Sequence, residues 1–365
     1  MARSTHRSPG LRRAAALVLA AAALAPAPAA AQVRAVRLTL DNDAYDFWVP
    51  AWRRPDHEYT NGMDAALELA GGPVWARLLA PAAPPCSGAE DPGAACAGTT
   101  VALGQKIFAP RVDGPTLQPG DRPYAGWLYL SATGQLSSAS TRRSLGIEVG
   151  VTGPPSLAEA VHRGWHQLAG FWEPVGWGNQ IGFEPGVTVR YDEARLLGEL
   201  RAGGVRVATL APEWGAAVGN VLTDARVGVR ASAGLAVPHP WSTAADRGQG
   251  PVSVYAVAAA RQDAVAHSLF LDGPTFAEGP GVERRPFVFQ YEVGGGVRVG
   301  RLALEYRAVT RGREYRTEPG GHTHGTFALA WRPRVRPALP PLAAPELPEP
   351  EPRPGDGAAH EEGPK

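Results

Sequence analysis

The chain has 365 residues, 44% of them apolar, with 36 Lys and Arg against 35 Asp and Glu and a formal net charge of +1. Nothing in that balance is basic enough to point to nucleic acid as a partner. Glycine is abundant, at 44 residues, and few helix-like patterns follow the N-terminus.

The first 31 residues have the form of a secretory signal. Arg3, Arg7, Arg12 and Arg13 precede an apolar run from Ala14 to Ala25, and Ala29-Ala30-Ala31 offers a small-residue cleavage site before Gln32. A membrane-spanning helix needs about 20 apolar residues, and this run is shorter. Loss of the four arginines takes the charge from +1 to −3. No later stretch is long enough for a transmembrane helix. An exported chain of this kind is either soluble or a barrel in the outer membrane.

From Val33 onward the dominant period is two. Leu145, Ile147, Val149 and Val151 alternate with Ser144, Gly146, Glu148 and Gly150. Phe287, Phe289, Tyr291 and Val293 alternate with Gln290, Glu292 and Gly294. Twelve such segments are predicted: Val33–Asn42, Tyr59–Ala70, Thr99–Phe108, Tyr124–Thr133, Thr141–Val151, Val187–Asp192, Gly204–Leu210, Ala225–Leu235, Val252–His267, Arg285–Val299, Leu302–Glu314 and His322–Arg332. Strands of a soluble sandwich also alternate, so the composition of the polar face decides. It carries both signs of charge (Arg37, Glu68, Lys106, Arg230, Glu292, Arg307), while the apolar face carries aromatics. That combination predicts an all-β fold: a twelve-stranded antiparallel transmembrane β-barrel spanning 32–332, lipid outside and a polar lumen within. The interior charges are expected to pair across the lumen and fill it.

Between strands, Cys86 and Cys96 lie in a Pro/Gly-rich segment and are expected to form a local disulfide. A short helix is possible at Val74–Leu79. One helix is predicted with more support, in a long loop expected to be extracellular. Pro155-Ser156 caps it, Glu159 follows, Leu157, Val161, Trp165 and Leu168 form a stripe, and Gly170 ends it. After Arg332, ten prolines fall among the 33 residues 333–365, a composition that cannot bury a core and is expected to be a disordered periplasmic tail.

Several short motifs sit where these strands end. They are Asn42-Asp43, Tyr59-Thr60-Asn61-Gly62, Gly104-Gln105-Lys106-Ile107-Phe108-Ala109-Pro110 and Gly120-Asp121-Arg122-Pro123-Tyr124-Ala125-Gly126-Trp127. Gly153-Pro154, the helix reaching His166, Gly176-Trp177, Asn179-Gln180, Val265-Ala266-His267 and Leu271-Asp272-Gly273 complete the set. In order and placement they resemble the outer-membrane lipid A 3′-O-deacylases, from about Val33 to Trp331. The resemblance implies a calcium-dependent esterase that removes the 3′-linked acyl chains of lipid A, with its site between the outer barrel wall and a loop helix. It makes His166 the general base, with Asn42, Asp43 and Thr60 orienting it and supporting the metal. The acidic residue of the family after the histidine falls nearest to Glu173, one position out of register, so Asp43 and Glu173 are the expected Ca2+ ligands. This chain also has His162 where relatives can carry Gln.

The residues support that chemistry on their own terms. A neutral imidazole near pH 7 takes a proton from water as it attacks an ester carbonyl. An oxygen-ligated cation near Asp43 polarises that carbonyl. Against this, a helix histidine often merely packs at a wet surface. Zinc binding by His162 and His166 lacks a third ligand, and Thr60 lacks the nucleophile elbow of a Ser/Thr esterase. His267, His322 and His324 read as ordinary polar residues. Asp121-Arg122 reads mainly as a rim ion pair or turn anchor, with phosphate binding by Arg122 or Lys106 as the sharper alternative. The competing function is a structural or transport barrel without catalysis; an outer-membrane phospholipase shares the chemistry but not the motifs. No protein partner is expected.

Overall fold

The computed structural model of the protein describes residues 33–47, 57–73, 75, 78–79, 83–86, 95–241 and 250–333. The expected signal segment (1–31), all but Pro333 of the expected tail (333–365) and half of the possible helix at Val74–Leu79 lie outside the described residues.

Twelve staves form in chain order. They are β1 (Val33–Asn42), β2 (Glu58–Ala70), β3 (Cys96–Ala109), β4 (Ala125–Ser137), β5 (Thr141–Thr152) and β6 (Pro185–Arg195, continued by Gly198–Ala202). Then follow β7 (Val205–Gly219), β8 (Leu222–Leu235), β9 (Val252–Ser268), β10 (Phe287–Val299), β11 (Leu302–Arg311) and β12 (His322–Trp331). Both pieces of β6 lie on β7, with Ala194 opposite Glu213 and Gly198 opposite Leu210, so the interruption at Leu196-Leu197 makes one bent stave of two segments. The strand predicted at Val187–Asp192 stops short of that break. Each stave pairs antiparallel with the next, and β12 returns to β1 with Phe327 opposite Leu40. The result is a closed twelve-stranded antiparallel barrel, as the period-two pattern predicts.

Burial is inverted relative to a water-soluble protein. On β10, Phe287, Phe289, Tyr291 and Val293 are exposed, whereas Val288, Gln290 and Glu292 between them are buried. Leu38 and Leu40 on β1 and Leu302 and Leu304 on β11 are likewise exposed. Apolar area held in water costs about 25 cal/mol per Å² relative to burial, and a lipid surround removes that cost. No helix among the described residues is long and apolar enough to cross a membrane; the strands do so.

The lumen departs from expectation. Arg230 and Arg307 share Glu292, Arg261 and Arg311 share Asp263, and Arg226 joins Asp192 to Asp224. Each partner lies two residues along a strand or on a nearby stave, so the pairs hug the wall and do not bridge the barrel. Gly215, between Asp192 and Arg226 in the register, leaves room for that pair. Cavities of about 380, 350 and 510 Å³ therefore remain inside. The expected charge-filled lumen is corrected to a charge-lined one. Among the described residues, the main apolar filling lies where Trp127, Tyr129, Leu269 and Phe270 cluster with Phe108, with a smaller contact between Ala35 and Ala330.

The predicted loop helix is α1 (Ala158–Ala169), closed by Gly170 at φ 73° with the Phe171 N–H bonded to the His166 carbonyl. Its start differs from the prediction. A 3-10 turn at Pro154–Ser156 precedes it, the cap residue is Leu157 in the left-handed region, and Ser156 Oγ donates to the Gly153 carbonyl. The stripe of Leu157, Trp165 and Leu168 is exposed, and the buried face is Ala158, His162 and His166. At the other end of the barrel, Cys86 and Cys96 are disulfide-bonded as expected.

Candidate active site

The outward face of β3 shows where α1 lies. Leu103 is 52% exposed, as a lipid-facing residue should be, yet Gln105, Ile107 and Ala109 on the same face are buried. Ile107, Ala109 and Tyr124 pack with Ala158 and Trp177, and Val161 joins them. Gln105 Nε2 donates to the Ser156 carbonyl at 2.6 Å. At Gly126, opposite Ile107 in the register, any Cβ would collide with Ala158 and Ser156. Helix α1 therefore sits against the outer wall over β3 and β4, not over the lumen.

The same row of the sheet carries the other residues of interest. Asn42 lies opposite Asn61, and Asn61 opposite Ile107. With about 4.8 Å between staves, Asn42 is about 10 Å around the wall from the helix-covered Ile107. Thr60 is the extra residue of a β-bulge, since the β2–β3 register slips between Tyr59 and Asn61. A bulge re-aims a side chain, and here Thr60 Oγ1 donates to Asp43 Oδ2 at 2.9 Å. Asp43 Oδ2 also accepts from the His57 backbone N–H at 3.1 Å. Asn42 Oδ1 caps the 3-10 turn Asp43–Tyr45 by accepting from Ala44 N at 2.8 Å. Asn42, Asp43 and Thr60 are all buried.

A second network fixes the start of β2. Glu58 holds φ 67°, a strained conformation for a residue other than glycine. Its carboxylate accepts from Arg122 at 3.1 Å and from the Tyr315 hydroxyl at 2.8 Å. Arg122 also pairs with Glu314 at 3.2 Å, while Asp121 accepts from the Val112 N–H and the Tyr315 hydroxyl. Burial would raise the Glu314 carboxyl, but Arg311, Arg122 and His322 outweigh it and hold it at about 2. Asp121 and Arg122 are thus rim anchors, and they determine where Thr60, two residues past Glu58, can stand.

His166 is 3% exposed, on the wall-facing side of α1. Its Nδ1 lies 2.6 Å from the Trp172 carbonyl. A carbonyl only accepts, so Nδ1 carries a proton, and in the neutral ring Nε2 then holds the lone pair. Phe171, Trp172 and His162 pack edge-on around the ring, with His162 at 4.5 Å between centroids. His162 Nδ1 accepts from Trp177 Nε1 at 3.2 Å, so this nitrogen is already engaged by an indole.

Glu173 stands apart. Its side chain is 71% exposed and ion-paired with Arg163, while Asp43 is held by Thr60 and His57. No group of three or more His, Cys, Asp or Glu among the described residues is arranged to hold a metal. The donors that do gather at the β1–β2 rim are oxygens: Asn42, Asp43, Thr60 and Asn61. The Asn61 Oδ1 is buried with no hydrogen-bond partner, which suits a hard cation that takes carboxylate, carboxamide and water oxygens. Asn61 faces outward by the regular alternation of β2 with Met63, Ala65 and Leu67, and so stands beside Asn42, while the bulge re-aims Thr60. Lys106 falls on the lumen side, with its Nζ 5.1 Å from the Tyr129 ring centroid, and so is separated from the outer-wall site by the sheet.

A family model described as "Outer membrane protein LpxR" matches residues 14–333. The chain belongs to that family. It is accordingly an integral β-barrel of the outer membrane. Among solved structures, LpxR from Salmonella typhimurium superposes with a TM-score of 0.66 at 17% identity, covering 82% of this chain and 99% of that one. The β domain of the Bordetella autotransporter BrkA aligns over 82% of this chain and 98% of its own, at 10% identity and a TM-score of 0.40. No curated protein matches the chain in sequence.

Proposed function

We propose that this family member is a calcium-dependent lipid A deacylase that hydrolyses the 3′-linked acyl esters of lipid A in the outer leaflet. The observation that carries the reading is the state of His166. It is buried against the lipid-facing wall with its Nδ1 directed to the Trp172 carbonyl, the orientation in which Nε2 of the neutral ring serves as the base. A soluble-facing or lumenal histidine would not meet a lipid ester; this one lies on the side of the wall where acyl chains are.

His166 Nε2 takes a proton from water as the water oxygen bonds to the ester carbonyl carbon. The tetrahedral adduct then breaks its bond to the sugar oxygen, which leaves with that proton from the imidazolium. The products are a free fatty acid and a sugar hydroxyl. Asp43, with Asn42, Thr60 and Asn61 around it, would hold the calcium ion, whose charge stabilises the carbonyl oxygen when bound. Thr60 orients Asp43 through its hydroxyl. Glu173 has no role in this scheme beyond its pairing with Arg163 on the helix. The exposed Leu157, Trp165 and Leu168 keep the helix in contact with acyl chains.

Mass spectrometry of lipid A from cells expressing wild type and His166→Ala tests the reading. Loss of the acyl chains in the wild type and their retention in the variant is the expected result. If both strains, with equally folded barrels, carry the same lipid A, the structural or transport alternative stands.

A further inference from the structure

We propose that the lumen chamber behind the site binds a small inorganic oxyanion of the phosphate or sulfate type. The chamber has a volume of about 380 Å³ and is lined by nine Lys and Arg against six Asp and Glu. Those carboxylates are already committed: Glu292, Asp263, Asp224 and Glu314 to arginines, Glu148 to the Trp127 indole at 2.7 Å, and Asp41 to the Tyr59 hydroxyl at 2.7 Å.

Two of the cations make no close ion pair, although the Lys106 charge acts at longer range on the Asp64 carboxylate. Among the described residues, no carboxylate oxygen lies within 4.0 Å of Lys106 or Arg190. Three further donors on the lining, Arg122 Nε, Arg311 Nε and Thr188 Oγ1, are buried without a hydrogen-bond partner. Buried donors and cations that lack acceptors cost free energy until an acceptor arrives. A tetrahedral oxyanion supplies several acceptors and negative charge in one compact body, and charge-assisted hydrogen bonds are the strong ones. The source is a free anion and not a lipid headgroup, because Lys106 and Arg190 face the lumen and the sheet separates them from the lipid.

The test uses the detergent-solubilised full chain. Its unfolding temperature is measured against inorganic phosphate, with chloride at matched ionic strength as reference, and phosphate binding is read directly by calorimetry. The expected result is a saturable, phosphate-specific rise, because a ligand that binds only the folded state stabilises it. Lys106→Gln and Arg190→Gln should each weaken phosphate binding about ten-fold or more. Arg316→Gln, which removes an exposed arginine paired with Glu283 outside the chamber, should leave it unchanged. Absence of any phosphate-specific effect in the wild type overturns the proposal, as does an effect that survives both substitutions. Neither measurement depends on ester hydrolysis, so the proposal stands or falls separately from the deacylase reading.

Discussion

Gly126→Ala is the smallest change that should separate the barrel from its helix. Gly126 faces outward on β4, and a methyl there would lie closer than 3.0 Å to both Ala158 Cβ and Ser156 Oγ. Neither atom is the end of a flexible side chain. Ser156 is held by its own bond to the Gly153 carbonyl and by Gln105, and Ala158 opens α1. Carbon atoms rest about 3.5–4.0 Å apart, so the segment must withdraw by roughly 1 Å or more. The strand itself is not disturbed, since the new methyl points away from the lumen and the β3–β4 pairing uses only backbone. A misplacement of about 1 Å can cost about 10²-fold in rate. The assay is deacylation of purified lipid A in detergent micelles, with the heat-dependent mobility shift of a folded barrel on a gel as the control. Gly164→Ala is the matched comparison, because a Cβ there meets nothing within 4 Å and should stabilise the helix by up to about 1 kcal/mol. If Gly126→Ala folds and works at the wild-type rate, α1 is not held against the wall as described.

Three other outcomes are expected. Chelation should abolish turnover and added calcium restore it, and Asp43→Asn should need far more calcium for the same rate; chelator-insensitive turnover would remove the metal from the scheme. Because Glu314 titrates near 2 when folded and near its ordinary value of 4.5 when unfolded, its contribution is complete above about pH 4.5 and is lost as pH falls towards 2. The loss is on the order of 3 kcal/mol, and Glu314→Gln should flatten that part of the acid-unfolding profile. Replacing Cys86 and Cys96 together by serine should lower stability by roughly 2–3 kcal/mol and leave deacylation unchanged, since their loop is at the far end from His166; equal unfolding midpoints in reduced and oxidised protein would contradict this.

Most of the barrel was legible because a lipid surround enforces alternation residue by residue. On β10 a one-residue slip would turn Glu292 into hydrocarbon and Phe289 into the lumen. Strand ends were less legible. The start of β2 depends on Glu58 being held at φ 67° by Arg122 and Tyr315, which come from loops 64 and 257 residues away in the chain. The β6 break was not legible either, since Arg195 and Gly198 give no distinct pattern on either side of it.

The site was legible by residue type but not by side of the wall, and the reason is the same alternation. Asp41 and Asn42, Tyr59 and Thr60, and Lys106 and Ile107 are neighbours in sequence, yet the first of each pair lines the lumen and the second belongs to the outer row or its bulge. A motif read as one unit therefore serves two compartments. The helix follows the same logic. Beside a lipid-facing wall, the apolar side chains of Leu157, Trp165 and Leu168 stay at the lipid. The face that needs protein is the polar one, where the Trp177 indole and the Trp172 carbonyl engage the Nδ1 atoms of His162 and His166. Near a membrane, a helix that buries its histidines and exposes its leucines is consistent with an active site on the lipid side.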